Sequence, residues 1–376
     1  MTTYGPSHDV IIIGAGFAGS CLAWMLKDQP VRVALIDRNL QYPPSFRAEK
    51  LEQQQADLLD KFGLLEARQP LADPISQVEC FRKGQRYHED VGLQYGIHYT
   101  DTVNQLRTQA LPHVDFYQGK VVDVITSSTY QQVQLENGKK LTARLLVLAT
   151  GGNVINPLAF KLGMRQQATR ELRSLSFAFD ICRADGQPYD FQSFNYFLDP
   201  REHQIDYVTL FPIGDSVRIN LFTQWHPKDM RVRAMRRSPM QELDEYFPGL
   251  FEQIGDSVLT GSDKVALFPT QYYQLSKVEQ PGIVVIGDEF QSVSPATGKG
   301  LSKVLTDVDV LSGLIPQWLE TDGMTVDKIQ QFYRHPDKQA VDSLAKREWV
   351  YLADNALHPE IISKVKRKLA KLMGVG

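Results

Sequence analysis

Cysteine is scarce: Cys21, Cys80 and Cys182 are the only three in 376 residues, with no CxxC spacing among them. An odd, unpatterned set excludes a disulfide framework and a thiolate zinc site, and it fits a reducing compartment. Neither sign of charge dominates. With 41 Lys and Arg against 44 Asp and Glu the net charge is -3, so the basic footprint of a nucleic-acid binder is missing and nucleic acid is not an expected partner. No apolar run reaches the roughly 18 residues that read as a membrane span. The N-terminal MTTYGPSH carries no basic stretch ahead of an apolar core; no secretory signal is expected, and the cytoplasm is the expected location. Internal repeats, low-complexity tracts and long linkers are also missing. So are a Ser/His/Asp set, paired carboxylates and any cluster with metal-ligand spacing, and no metal is expected.

What is present is an ordinary globular composition, 43% apolar and 23% charged, in a length that suits one large composite domain or two. The most informative stretch runs from Asp9 to Asp37. Val10 to Ile13 form a β-branched run into Gly14-Ala15-Gly16-Phe17-Ala18-Gly19, a helical segment follows, and a second strand, Val31 to Ile36, ends at Asp37 beside Arg38. This is a βαβ unit with a dinucleotide fingerprint. Gly14 makes the tight turn, Gly16 lets the backbone approach a pyrophosphate, and Gly19 lets helix and strand pack closely. Phe17 and Ala18 open the helix whose N-terminus favours negative charge. Asp37 is placed to accept hydrogen bonds from ribose hydroxyls. The pattern alone leaves NAD and FAD both open.

Further along, Arg47 starts an expected amphipathic helix ending near Gly63, with Leu51, Ala56, Leu58, Leu59 and Phe62 on its packed side and the rest of its surface solvated. Arg47 itself could pair with a phosphate. A hairpin is expected over Val78 to Val91 around Lys83-Gly84, a helix near Thr102 to Ala110, and short strands through an Asn137-Gly138 turn. Leu145 to Leu148 read as a strand buried on both faces, ending in Ala149-Thr150-Gly151-Gly152. From Leu172 to Leu275 short aromatic-rich strands alternate with Asp, Gly and Pro turns, as in an inserted antiparallel sheet. A second buried strand, Ile283 to Ile286, then leads through Gly287-Asp288 and a Pro/Gly loop into a helix near Gly300.

Gly14 to Gly19, Arg47 within RAEKLEQ, and Gly287-Asp288 followed by SPATGKGLSKVLTDVDVL stand in the order found in FAD-dependent aromatic hydroxylases. The chain resembles the p-hydroxybenzoate hydroxylase superfamily over roughly its first 65 residues and Pro269 to Leu314, and only in architecture between them. The resemblance implies an α/β fold: a Rossmann-type FAD-binding domain (1–75, 100–155, 276–320), an inserted, mostly antiparallel β-sheet substrate domain (76–99, 156–275), and a C-terminal helical region (321–376). It implies that Gly14, Gly16 and Gly19 hold the FAD pyrophosphate and Asp37 the adenosine ribose. Arg47 would contact the phosphates and ribityl chain, and Asp288 the ribityl chain. Pro295 would sit beside the flavin ring, and Thr297, Gly298, Lys299, Gly300 and Leu301 would face its pyrimidine edge, where a helix N-terminus stabilises negative charge. Lys299 would add a charge beside the flavin, weighed against an ordinary lysine at a helix start. The implied reaction is hydroxylation of a phenolic or indolic substrate through a flavin hydroperoxide, with a pocket that keeps the reaction dry.

The departures from that family carry equal weight. Its usual Asp-Gly motif ending in arginine is replaced by ATGGNVINPL; the NADPH-assisting arginine aligns with Gln271, and the histidine usual after Gly-Asp is Gln291. Direct reduction by NAD(P)H therefore lacks its expected contacts, and a partner flavin reductase, or the substrate itself, is the alternative electron source. Flavin-dependent halogenases carry a WxWxIP signature that is not found, and no lysine stands out as a hypohalous-acid carrier. Prenyl reductases carry an aromatic-x-Trp-x-Phe-Pro motif, which Tyr207 to Pro212 approaches without its tryptophan. A maturation flavoprotein that hydroxylates a tryptophan of a partner protein suits the missing nicotinamide contacts. Tyr207, Phe211, Trp225, Tyr272 and Tyr273 are candidate pocket walls, each weighed against a core role. His226, beside Trp225 and Pro227, is weighed against an exposed turn. The basic amphipathic segment from Glu360 to Met373 is expected as a packed terminal helix, or else as a dock for an acidic partner or a membrane surface.

Overall fold

The computed structural model describes residues 6–47, 49–64, 74–152, 156–167, 172–214, 216–260 and 265–357. Two large sheets organise it. The first is parallel throughout, with strand order Ile283–Val285, Leu145–Leu148, Val10–Ile13, Val33–Asp37 and Asp115–Gln118. Val10–Ile13 and Leu145–Leu148 are buried along their whole length. That is why they read as unbroken apolar runs: a parallel sheet is covered on both faces. The helices Phe17–Met25, Tyr99–Ala110 and Gly300–Leu319 share one hydrophobic core with it. An antiparallel meander, Val121–Ile125, Gln131–Leu135 and Lys140–Ala143, is turned by Asn137-Gly138 as the sequence predicts.

The second sheet has nine strands. Arg173–Arg183, Ser216–Thr223, Ile205–Ile213 and Phe194–Phe197 are antiparallel neighbours, and the hairpin Ile75–Arg82/Gln85–Gly96 joins through a parallel pairing with Phe194–Phe197. Its other face carries a core of its own, including Phe177, Phe194, Leu221 and Trp225. The last described helix, Pro336–Leu357, contributes Trp349 and Ala353 to a smaller cluster with Leu172 and Tyr272. No helix among the described residues is long and apolar enough to cross a membrane. The basic segment from Glu360 onward lies outside the described residues.

One local expectation is corrected. The helix predicted from Arg47 begins only at Gln53 and runs to Lys61, held by a capping box between Glu52 and Gln55. Before it, Lys50–Leu51 form a short strand paired with Tyr95 and Gly96 at the end of the hairpin. The pairing competes successfully with helical propensity because it extends the larger sheet and buries Leu51 completely.

Candidate functional site

The first glycine turn is shaped by contact. Gly14 has φ 103, and a Cβ there would lie 2.4 Å from the Ala149 carbonyl oxygen, while one on Gly19 would lie 1.9 Å from the Gly14 carbonyl. Around Gly16 there is room, the nearest atom to a Cβ being Tyr42 Cε2 at 3.9 Å. The helix from Phe17 receives no side-chain cap, so its first N–H groups point into that space. Asp37 stands behind it. Its Oδ2 accepts from Ala15 N at 2.8 Å and Arg107 Nη2 at 3.0 Å, and its Oδ1 accepts from Asn39 N at 2.8 Å. Arg107, 3% exposed, also donates to the carbonyls of Asn39 and Leu40. Sequence reading missed this arginine; its signal was a cation among Val103, Leu106 and Ala110 on the packed side of a helix. Arg38 is exposed, with its carbonyl accepting from Gln118.

The second loop is anchored from below. Gly287 N donates to Asp307 Oδ2 at 2.8 Å and its carbonyl accepts from Lys303 Nζ at 3.1 Å. Lys338 Nζ reaches Asp307 Oδ1 at 2.8 Å, and Asp342 pairs with both lysines. Above this network, Asp288 faces Arg47 Nη1 at 3.5 Å; burial pushes its carboxyl up and the guanidinium opposes this. Arg47 stacks over Phe268, 4.9 Å from its ring. After Pro295–Thr297 the chain turns at Gly298, φ 66, into the uncapped helix Gly300–Leu319. Gln55 ties this turn down through the Gly298 carbonyl and Ser302 Oγ. A Cβ on Gly300 would meet nothing within 4 Å. Lys299 pairs with Glu52 at 3.3 Å.

Between this loop and the nine-stranded sheet lies a cavity of about 380 Å³. Phe17, Arg47, Tyr99, Asp288, Pro295, Thr297, Gly298, Gly300 and Leu301 form one side of it. The other is the sheet face with Ser176, Asn195, Tyr207, Thr209, Phe211, Asn220, Phe222 and Phe268, and Phe46, Glu49 and Lys50 also line it. Alternation explains the wall: residues 207, 209 and 211, and likewise 218, 220 and 222, lie on one face of their strands. Tyr207 joins the two sides, its hydroxyl donating to the Ala296 carbonyl at 3.0 Å. Beside Glu49, Arg218 holds Glu49 and Asp180 and stacks on Phe46.

Three expected wall residues are placed elsewhere. Trp225 is fully buried in the sheet's far core, its indole donating to the His203 carbonyl and packing on Phe177 and Tyr246. It keeps the parity of Val217, Ile219 and Leu221, which face the far core, rather than that of Asn220 and Phe222, which face the cavity. Tyr272 packs on Trp349. Tyr273 donates to the Asp288 carbonyl at 2.6 Å and fills the space a Cβ on Gly152 would need. Both are 3% exposed or less, so they support the loop from behind. His226 sits in an exposed turn and accepts from Lys228 N. Lys50, which sequence reading did not single out, lines the cavity.

These residues fit a flavin dinucleotide. Two uncapped helix N-termini point at open space, Gly16 and Gly300 leave room for a ligand rather than a side chain, and Arg47 and Asp288 offer a cation and an acceptor between them. Among the described residues there is no cluster that could hold a metal ion. Comparison with known proteins agrees. The chain is 24% identical over 363 residues to squalene epoxidase 1 of Arabidopsis thaliana, covering 90% of this chain and 65% of that one, so it spans just under two thirds of the relative's length. It superposes with TM-score 0.73 on the halogenase PltM solved with phloroglucinol and FAD, at 12% identity over 93% of this chain and 76% of that one. With p-nitrophenol 4-monooxygenase PnpA from Pseudomonas putida DLL-E4 the TM-score is 0.67, at 16% identity, covering 98% and 99%. The model of the FAD binding domain family matches residues 7–320. The chain therefore belongs to the FAD-binding domain family, and FAD is its cofactor.

Proposed function

We propose that the protein is an FAD-dependent monooxygenase acting on a small aromatic compound. The observation that carries this reading is the cavity, which brings the Pro295–Leu301 loop against a wall of Tyr207, Phe211, Phe222 and Phe268. Its volume lies at the small end of the range for small-molecule sites. Bound FAD supplies the redox chemistry, taking up electrons and passing them to dioxygen. The chain's own residues bind and orient. The helix N-terminus at Gly300 stabilises negative charge on the ring edge, Arg47 and Asp288 hold the linking chain, and the aromatic wall keeps water from the reacting face. Nothing in this scheme needs a protein nucleophile.

A partner flavin reductase is part of the proposal. Gln291 stands where the family's histidine is usual, is 1% exposed, and donates to the Asp342 carbonyl, so it offers nothing to a nicotinamide. The test is stopped-flow reduction of the purified yellow protein by NADH and NADPH, followed by turnover of substituted phenols under isotopically labelled dioxygen. Label in the product only when a flavin reductase is added supports the reading in full. A protein that cannot be loaded with FAD would end it. Halogenation is the second reading, favoured by Lys50 in the cavity, and a brominated product in bromide buffer would select it.

A further inference from the structure

We propose that the Lys50 side of the cavity is a seat for a negatively charged oxygen group of the substrate, a carboxylate or phenolate, built by Lys50 with Thr209. This rests on the small-molecule monooxygenase reading and narrows its substrate class. Lys50 lies in the short strand beside the cavity, is partly buried, and lines the cavity wall. Of its three N–H bonds one is directed to Ser193 Oγ at 3.1 Å, and Ser193 passes its own proton to the Leu210 carbonyl. The other two have no protein acceptor among the described residues. The ammonium also stands 4.9 Å from the Phe211 ring, which fixes its height above the sheet.

The charges around it are otherwise matched. Glu49 is held by Arg218, Glu52 by Lys299 and Asp288 by Arg47, while Glu89 is at the exposed rim. Lys50, by contrast, has no carboxylate within ion-pair distance among the described residues, and Glu52 acts on it only at longer range. The sheet beneath it supplies further hydrogen-bonding groups. Asn195, Thr209 and Asn220 are direct cross-strand partners in one row, and Ser176 and Phe222 form the next. Thr209, next but one to Phe211 in the same strand, is more than nine-tenths buried, lines the cavity, and has no partner for its hydroxyl. Burial pushes the ammonium down to about 8, against the opposing pull of Glu52. An anion seated there restores what burial removes, and the Thr209 hydroxyl donates to one of its oxygens.

A purely hydrocarbon substrate would leave every one of these groups unsatisfied, which disfavours it strongly. The test is calorimetric titration of the FAD-loaded protein with two matched pairs, benzoate against benzamide and 4-nitrophenolate against nitrobenzene. At least one anion is expected to bind about 10- to 100-fold more tightly than its neutral match, the range for a hydrogen bond to a charged group. Which pair shows the larger ratio separates carboxylate from phenolate. Lys50→Met and Lys50→Gln should each remove the preference while leaving neutral binding and the flavin spectrum intact. Equal affinities in the wild type, no binding of either anion, or a preference that survives both variants would overturn the proposal. So would a Lys50→Met protein that loses halogenation but keeps its anion preference. An intact flavin spectrum with no preference refutes the seat alone, whereas failure to retain FAD refutes the reading beneath it.

Discussion

Asp307→Asn tests whether the buried charge network beneath the Gly287–Asp288 turn holds the cofactor loop. Lys303, Asp307 and Lys338 have no exposed surface, and Asp342 is nearly buried, so two positive and two negative charges balance within the interior. Asp307 is their hub, accepting from Lys303, Lys338 and the Gly287 backbone N–H. Burial pushes its carboxyl up, but the two ammonium groups outweigh that and hold it below its ordinary value. Neutralising it leaves two buried cations against one anion. Breaking a buried pair costs about 3–5 kcal/mol, a large share of the roughly 5–15 kcal/mol that holds a folded protein together. Asp342→Asn should cost less, because its contacts are longer, at 3.4 and 3.1 Å, and its side chain is 12% exposed. Asp307→Asn/Lys338→Met restores the balance of charge and should be more stable than Asp307→Asn alone, a non-additivity that only contact between the sites produces. Urea unfolding followed by circular dichroism measures wild type, these three variants and Lys338→Met alone, which completes the cycle, and FAD fluorescence follows release of the cofactor. If Asp307→Asn unfolds within about 1 kcal/mol of wild type, the ordinary range for a substitution without a named mechanism, or if the double variant is merely additive, the argument fails.

Gly16→Ala and Gly300→Ala should leave the apoprotein's unfolding midpoint unchanged, since their methyl groups enter open space, yet weaken FAD binding measured by fluorescence titration; Gly14→Ala and Gly19→Ala, which meet backbone at 2.4 and 1.9 Å, should fail to fold. Arg107→Met leaves Asp37 without its cation and should weaken FAD about tenfold or more, given about 1.5–3 kcal/mol for a hydrogen bond to a charged group; unchanged affinity would show that Asp37 needs no orienting partner. Burial pushes Glu289 up from 4.5 to about 7, opposed by its bond from Thr150 Oγ1. A carboxyl raised in the folded state contributes stability that is full below its unfolded value and is lost as pH rises through about 7. Glu289→Gln should therefore flatten the fall in unfolding midpoint between about pH 5 and pH 8, and an unaltered slope would count against the assignment.

The dinucleotide half of the molecule was legible because its signals are local. A β-branched run, three glycines at fixed spacing and an acid at the end of the next strand suffice to specify a turn whose Gly14 φ and Gly19 approach the structure then displays. Arg107 was not legible: it lies 70 residues from Asp37, and only the packing of Tyr99–Ala110 brings the two to 3.0 Å. Trp225 and Tyr207 show the same limit from the other side. Both are aromatic and both belong to the inserted sheet, but facing the cavity depends on strand phase and on where a strand stops, which composition does not carry.

Lys299 and Lys50 make the point most sharply. Lys299 sits inside the motif that the aromatic hydroxylases share, so motif reasoning favoured it, yet Glu52 neutralises it at the turn. A period of 3.6 over the stretch from Arg47 places Lys50 on the solvated side of a helix. With a period of 2 the assignment reverses. In the strand Lys50–Leu51, one side chain enters the core and its neighbour enters the cavity. The tertiary cause is the end of the hairpin, whose Tyr95 and Gly96 recruit two residues that would otherwise begin the helix at Gln53. A two-residue β-pairing, too short to leave a mark on hydrophobic periodicity, thus decides whether the cavity carries a fixed positive charge.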